Sequence, residues 1–245
     1  MRQKTYQLLN VAGVLTVLIV NYFAAAGLIN DTDTGAVSDK FPTGITPAGY
    51  AFSIWGLIYL GLVAFSIYQA LPGKRTDTQL KKIRPLFLIN CAANASWLFA
   101  WHFELIPLTL LMMLILLVTL ILINVHAAPL SGTQDLLLVK APLHLYFGWV
   151  TLATILNTSI FIVFHEVQVS PSIASTAGAI LIAAAGVLGV ILRFRLRAFL
   201  YPMAIAWGVT AIAVKQSGDT VVVTAAAVTV IILLFAALWG AIKDG

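Results

Sequence analysis

Eight long apolar runs alternate with short polar segments along the chain. Each run is close to the ~20 residues that an α-helix needs to cross the hydrocarbon core of a bilayer. The runs cover residues 6–28, 48–71, 83–101, 106–127, 136–164, 172–192, 199–214 and 221–241. Because lipid offers the backbone no hydrogen-bond partner, the runs are predicted to be helices. The pattern predicts an all-α integral membrane protein, a bundle of about eight transmembrane helices, with the connection 29–49 as an ordered cap.

The basic residues lie in the connections and favour one side of the predicted bundle. With the N-terminus inside the cell, only Lys40 and Lys215 of the fourteen Lys and Arg residues fall outside. Short cytoplasmic loops of membrane proteins carry such an excess of positive charge. The pattern therefore supports eight spans with both termini cytoplasmic. The cytoplasmic set is Arg2, Lys4, Lys74, Arg75, Lys81, Lys82, Arg84, Lys140, Arg193, Arg195, Arg197 and Lys243.

Composition agrees with a membrane location and argues against other partners. Apolar residues make up 61% and charged residues 9% of the chain, whereas soluble domains carry roughly 25% charged residues. The net charge of +5 belongs to short loops between apolar runs, so nucleic acid is not expected as a partner. Cys91 is the single cysteine, so neither an intrachain disulfide nor a CxxC metal site can form.

The first run admits a second interpretation. Arg2 and Lys4 precede an apolar stretch that ends in the small residues 24–27, as in a secretory signal peptide. The stretch also contains Asn10 and Asn21 and is longer than a signal core. These features favour a retained transmembrane helix over a cleaved signal.

Residue types that carry catalysis or ion coupling are missing from the middle of the runs. No Lys, Arg, Asp or Glu lies there, although pumps and proton relays place ionisable groups at that depth. His144 lies about one turn inside the fifth run and is interpreted as an interfacial structural histidine. The chain also contains no HExxH, GxSxG or P-loop motif. We therefore expect no catalytic residue, no metal site and no enzyme activity.

Aromatic and amide side chains recur at helical spacing in three of the runs. Steps of three and four residues place them on one face of each helix, and an amide in lipid is costly unless it finds a partner. These faces are predicted to turn inward, where they could line a pocket for a flat apolar ligand or serve helix packing alone. They consist of Trp55 and Tyr59, of Asn90, Asn94, Trp97 and Trp101, and of Tyr146, Trp149, Ala153 and Asn157.

Three stretches on these faces have the form of family motifs. They are TPAGYAFSIWGLIY at residues 46–59, NASW at 94–97 and YFGWVTLATILN at 146–157. The third is the most specific, since it shares six identities in twelve positions with the pattern Y-x-x-W-x-x-x-A-T-x-L-N. In this order and spacing they resemble helices two, three and five of the TspO/MBR family, the tryptophan-rich sensory and translocator proteins.

This resemblance implies a five-helix ligand-binding core in residues 1–165 and three additional transmembrane helices in residues 166–245. It also implies a tetrapyrrole such as a porphyrin, or a similar hydrophobic ligand, bound beneath the connection 29–49, with no cofactor. Carried over position by position, it makes Trp55, Asn94, Trp149 and Ala153 the ligand-binding candidates. It leaves helix packing to Trp97, Tyr59 and Asn157.

The chain departs from the family pattern in ways that affect the ligand. Phe52 and Ser53 replace a glycine-proline pair, and Leu145 stands where a proline usually adjoins the tyrosine of the fifth helix. A sterol-associated pattern after the fifth run is absent, so cholesterol is not supported as the ligand.

The leading functional hypothesis is a binding or sensory protein in a bacterial-type plasma membrane. A transporter of small hydrophobic molecules is the alternative, although the two halves of the chain show no repeat of the kind that many transporters carry. A third hypothesis is a scaffold whose last three helices recruit a partner protein. The lipid bilayer is the expected surrounding, and a homodimer is a further hypothesis. Two pairs of small residues in the sixth run could contact a helix of the same chain or of a partner: Ala174 with Gly178, and Ala185 with Gly189.

Overall fold

Eight long helices account for most of the computed structural model, which describes the backbone of residues 3–167 and 169–244 and the side chains up to residue 239. Within these residues no strand occurs. The elements are α1 Gln3–Ala25, α2 Thr34–Lys40, a 3₁₀ turn Gly49–Ser53, α3 Ile54–Ala70, a second 3₁₀ turn Pro72–Lys74, α4 Thr78–His102, α5 Ile106–Ala127, α6 Thr133–Asp135, a π-helical turn Leu136–Lys140, α7 Ala141–Phe164, α8 Pro171–Arg195, α9 Leu200–Lys215 and α10 Thr220–Asp244.

The long helices coincide with the eight predicted runs, so the predicted fold class is confirmed. Six of them are long and apolar enough to cross a membrane. The other two are α9, an apolar helix of 16 residues, and α4. Helix α4 has 25 residues but carries two asparagines within its apolar part. It also begins five residues before the predicted run, because Asp77 caps a polar first turn by accepting hydrogen bonds from the backbone N–H groups of Gln79 and Leu80.

The connections meet at two ends of the bundle as the charge pattern predicts. At the outer end, Lys40 pairs with Glu104 and Lys215 with Asp39, the latter at 2.9 Å. At the opposite, basic end, Lys74 lies 3.3 Å from Asp135. Outer connections are residues 26–53, 103–105, 165–170 and 216–219, and basic-end connections are 71–77, 128–132 and 196–199. Arg2 lies outside the described residues, as does the side chain of Lys243.

Arg84 is buried rather than exposed at the basic end. Its guanidinium lies beneath the 71–77 connection and donates to the backbone carbonyls of Gln69 at 3.0 Å and Lys74 at 2.7 Å. It also donates to the side chains of Gln69 and Gln3. The charge therefore stabilises the carbonyl end of α3, where the helix dipole favours a cation.

The three C-terminal helices pack on the preceding five through α9. A Cβ at Gly148 of α7 would lie 2.3 Å from the backbone oxygen of Tyr201, so the two helices approach each other at a glycine. Helices α8 and α10 pack against α9 and against each other. The small residues of α8 face partners in the same chain: Gly178 meets Ile45, and Gly189 meets Leu233 of α10. These small-residue pairs therefore serve packing within the chain, and the division at residue 165 stays a prediction.

Candidate functional site

Trp55 is the centre of an aromatic cluster near the outer end of the bundle. It lies one residue into α3 and is 6% exposed. Its ring stacks on Tyr59 with centroids 5.5 Å apart and meets Trp149 edge-on at 6.1 Å. Trp97 of α4 lies 5.7 Å away, and Tyr146 of α7 lies 5.8 Å away. Aromatic rings from α3, α4 and α7 thus lie together around Trp55, at centroid distances typical of favourable aromatic pairs.

A small inner cavity lies against this cluster. Its volume is about 20 Å³, enough for roughly one water molecule. The cluster therefore fills most of its own interior, and a ligand can enter only if a side chain moves. The lining consists of Ser38, Phe52, Trp55, Trp97, Trp101, Trp149, Ala153, Leu156, Asn157 and Ile160.

The four tryptophans around the cavity differ in hydrogen bonding. Trp101 donates to the backbone oxygen of Thr34 at 3.1 Å, and Trp97 donates to the side-chain oxygen of Asn157 at 3.4 Å. The N–H groups of Trp55 and Trp149 have no acceptor among the described residues, although both are buried. A buried donor without a partner carries a desolvation cost of ~1–3 kcal/mol. A ligand that brings an acceptor recovers that cost.

A polar network lies one helical turn nearer to the basic end than the cavity. The hydroxyl of Tyr59 donates to the side-chain oxygen of Asn21 at 2.5 Å. The Asn21 amide donates to Asn94 at 3.5 Å, and the Asn94 amide donates to the Tyr146 hydroxyl at 2.8 Å. The network joins α1, α3, α4 and α7 and satisfies amides that would be costly in lipid.

A larger space, the lateral groove, opens on the surface of the bundle between α1, α3 and the outer connection 26–53. Its volume is about 520 Å³, within the 300–1,000 Å³ usual for ligand pockets. Phe52 and Trp55 line both this groove and the inner cavity, so these two side chains separate the spaces. The rest of the lining consists of Leu18, Asn21, Tyr22, Ala24, Ala25, Asp33, Thr34, Gly35, Gly49, Ser53, Gly56 and Tyr59.

An ordered capping segment, residues 26–53, lies at the outer end and extends a few residues beyond the predicted cap 29–49 at both ends. It contains α2, whose N-terminus is capped by Asp33 accepting from the N–H groups of Gly35 and Ala36. Asn30 donates to the backbone oxygen of His102 at 2.7 Å. Because the 3₁₀ turn Gly49–Ser53 runs directly into α3, the segment also positions Phe52 beside Trp55.

The structure brings the four predicted ligand-binding residues together unequally. Trp55 lines both spaces, whereas Trp149 and Ala153 line the inner cavity alone. Asn94 lines neither space and belongs to the polar network. Asn90, on the same predicted face, donates to Thr119 of α5 at 2.8 Å and lies away from the cluster.

Three residues that the motifs assign to helix packing also line the two spaces, and two further residues are not among the predicted site residues. Trp97 and Asn157 line the inner cavity, and Tyr59 lines the lateral groove. Phe52 and Asn21 were not predicted as site residues. The available signals were the three-residue step from Phe52 to Trp55 and the presence of an amide in an apolar run.

A comparison with family models decides the relationship that the motifs suggest. A model described as TSPO-like protein matches residues 7–239. The chain belongs to the TSPO-like family. The match extends across the three C-terminal helices of this TSPO-like protein as well as the first five. No curated protein and no solved structure matches the chain significantly.

The family membership sets the class of the protein. TSPO-like proteins are membrane-embedded ligand-binding or transport proteins and are generally not enzymes. The described residues include six helices long and apolar enough to span a bilayer, so this TSPO-like chain is a multi-pass membrane protein. Its ligand has to be inferred from the aromatic cluster and the two spaces beside it.

Proposed function

We propose that this TSPO-like protein binds a flat hydrophobic ligand of the tetrapyrrole class within a bacterial-type plasma membrane, as a binding or sensory protein. The observation that carries the proposal is the pair of buried indole N–H groups, on Trp55 and Trp149, at the inner cavity. Neither has an acceptor in the part of the chain that the structure describes. A ligand with ring-nitrogen, carbonyl or carboxylate acceptors can accept a hydrogen bond from each of these two N–H groups. The surrounding rings offer the faces and edges that a flat conjugated ring packs against.

Binding of such a ligand requires Phe52 to move. The inner cavity of about 20 Å³ is too small by itself, but Phe52 separates it from the lateral groove of about 520 Å³. Phe52 is only half-buried, so its displacement joins the two spaces without disturbing a helix. Trp149 and Ala153 then form the inner wall of the site, and Trp55 lies at its centre.

Titration with protoporphyrin IX tests the proposal. Protoporphyrin should quench the tryptophan fluorescence of the purified protein saturably. Trp55→Phe and Trp149→Phe should each weaken binding about fivefold, which corresponds to ~1 kcal/mol for one hydrogen bond. Trp239→Phe is the matched control, because Trp239 is exposed on α10. An unchanged Kd in both cluster variants would contradict the site.

The position of the polar network favours binding over transport. Its four side chains lie between the inner cavity and the basic end, and Asn94 and Tyr146 within it are buried. A ligand seated above the network therefore meets a hydrogen-bonded floor. Flux of protoporphyrin across sealed vesicles separates the two functions: saturable binding without flux supports a binding protein, and protein-dependent flux supports a transporter.

A further inference from the structure

Helix α9 and Gln216, the residue that follows it, hold the capping segment through hydrogen bonds with the main chain of the segment. The N–H of Ala48 donates to the backbone oxygen of Ala211 at 3.0 Å. The indole of Trp207 donates to the backbone oxygen of Ala51, also at 3.0 Å. The side chain of Gln216 donates to the backbone oxygens of two residues, Thr43 and Thr46, at 3.2 Å each. Opening the cap on this side would break all of these hydrogen bonds together.

Further contacts hold the cap against α8, α9 and α4. A Cβ at Gly44 would lie 2.7 Å from the backbone oxygen of Ala174, so the segment also lies directly against α8. Lys215 pairs with Asp39 at 2.9 Å. On the opposite side, Trp101 binds the backbone oxygen of Thr34. The cap is thus fastened to α4, α8 and α9.

The lateral groove is the weakly closed side of the site. Small residues widen it: a Cβ at Gly49 or Gly56 would meet no other group within 4 Å. Ala25 and Gly56, on α1 and α3, are exposed. Nearer to the basic end, the hydrogen bond from Tyr59 to Asn21 links the two helices. Phe52 and Trp55 separate the groove from the inner cavity, and of the two Phe52 is the half-buried side chain. Rotation of a side chain is far faster than opening of a fastened segment.

We infer that a hydrophobic ligand enters this protein sideways from the acyl-chain layer, through the lateral groove between α1 and α3, while α9 keeps the cap closed. The inference rests on the proposed binding function. A hydrophobic ligand dissolves in the bilayer, so this route spares it a passage through water. The three C-terminal helices thereby fix the direction of access as well as the position of the cap.

The entry route is tested by blocking each path separately. Gly56→Phe fills the groove from α3, and Ala25→Phe fills it from the facing wall, whereas Gly56→Ala is the matched control that leaves the groove open. Ala48→Cys combined with Ala211→Cys locks the cap, because the two backbones are in hydrogen-bond contact there. Native Cys91 is buried, and the reduced form of the same variant is the control.

Protoporphyrin IX in liposomes is mixed with reconstituted protein, and the rate of fluorescence quenching is measured. Gly56→Phe and Ala25→Phe should each slow association by about tenfold or more. Association rate constants of mutants of one interface vary over roughly one to three decades, and an effect of this size lies within that range. Gly56→Ala and the oxidised cysteine pair should associate at the wild-type rate. Slowing by the locked cap, or wild-type rates in both phenylalanine variants, would overturn the inference. Failure of the wild-type protein to bind protoporphyrin would instead overturn the proposed function.

Hydrogen exchange tests the closed cap without any ligand. In the wild-type protein the amide of Ala48 should exchange slowly. Replacing Trp207 with Phe and Gln216 with Leu removes three hydrogen bonds that these side chains donate to the cap. Amide exchange at Ala48 and Ala51 should then become at least about tenfold faster, because the cap can open locally instead of only in a larger cooperative unit. Fast exchange in the wild-type protein would show an open cap and overturn the inference.

Discussion

Single tryptophans in the cluster have different tasks, because their N–H groups differ in whether they find an acceptor. Trp101 fastens the cap to α4 through the backbone oxygen of Thr34. Trp149 is equally buried, yet its N–H has no acceptor among the described residues. Removal of a satisfied donor costs a hydrogen bond, whereas removal of an unsatisfied donor also removes its desolvation penalty.

This difference predicts unequal stability effects for the same substitution. Trp101→Phe should lower the free energy of unfolding by ~1 kcal/mol more than Trp149→Phe, since both lose the same ring atoms and only the first loses a hydrogen bond. Thermal unfolding in detergent, followed by far-UV circular dichroism without ligand, measures the two values. Equal destabilisation would show that the indole N–H of Trp101 contributes nothing to the cap.

Individual helices are positioned by glycines whose surroundings differ sharply. Gly148 of α7 touches the backbone of α9, where a Cβ would lie 2.3 Å from the Tyr201 oxygen. Gly56 of α3 faces open space. The first glycine allows a close helix contact, and the second keeps the lateral groove wide.

The two glycines therefore give a matched pair of alanine substitutions. Gly148→Ala should destabilise the protein by ~1–3 kcal/mol, because backbone atoms have to separate to admit the methyl group. Gly56→Ala should stabilise it by up to ~1 kcal/mol through helix propensity alone. Unfolding of both variants under one condition provides the comparison, and a neutral Gly148→Ala would mean that α7 and α9 separate easily.

Helix α10 begins at a carboxylate that responds to pH. Asp219 accepts hydrogen bonds from the N–H groups of Val221 and Val222 at 3.0 and 3.1 Å, and the hydroxyl of Ser175 also donates to it. These bonds, the one from Ser175 first, lower the pKa of Asp219 below its usual value of 3.8. The stability that they contribute is present above that value and is lost as the pH falls through the lower pKa of the folded state.

Acidification should accordingly weaken the link between α8 and α10. We expect the unfolding temperature of the wild-type protein to fall as the pH is lowered past 3.8 toward the lower pKa of the folded state, because the carboxyl of the unfolded chain takes up its proton first. Asp219→Asn retains a capping oxygen but cannot titrate, so part of the pH dependence should vanish in that variant. Identical pH profiles for both proteins would exclude Asp219 as the responsive group.

The whole molecule shows which contacts a sequence can and cannot reveal. Run lengths predict the eight helices because each helix has to match the bilayer by itself. The motifs predict Trp55, Trp149 and Ala153 because a helical face is a local property. Contacts of the cap with α9 escaped prediction because the partners, such as Thr43 and Gln216, lie 173 positions apart.

Two site assignments show the same limit at the level of single residues. The motif predicts that Asn94 faces the ligand, but its amide donates a hydrogen bond to the hydroxyl of Tyr146 on α7. Residue spacing within α4 gives no information about a partner on another helix. Phe52 went unnoticed because it belongs to a 3₁₀ turn outside the regular helix face. Both cases depend on where neighbouring helices place their side chains.

The orientation of the molecule is open to a direct test. The positive-inside rule assigns the basic end to the cytoplasm. Lys74→Cys at that end and Gly218→Cys at the outer end should therefore react with a membrane-impermeant maleimide from opposite sides of the membrane. Buried Cys91 remains unlabelled in intact protein and is the internal control. Labelling of both positions from one side would refute the eight-span topology.

The hydrogen bonds between α9 and the cap also affect the order in which the structure forms during synthesis. A ribosome makes Trp149, the last ring of the cluster, 67 residues before it makes Gln216. At ~5–20 residues per second the interval is roughly three to thirteen seconds. Throughout that interval the nascent chain has its aromatic cluster but not the helix that closes it. The capping segment therefore gains its contacts with α9 only after the cluster has been made, and a protein truncated before α9 would lack the hydrogen bonds from Ala48 to Ala211 and from Trp207 and Gln216 to the cap.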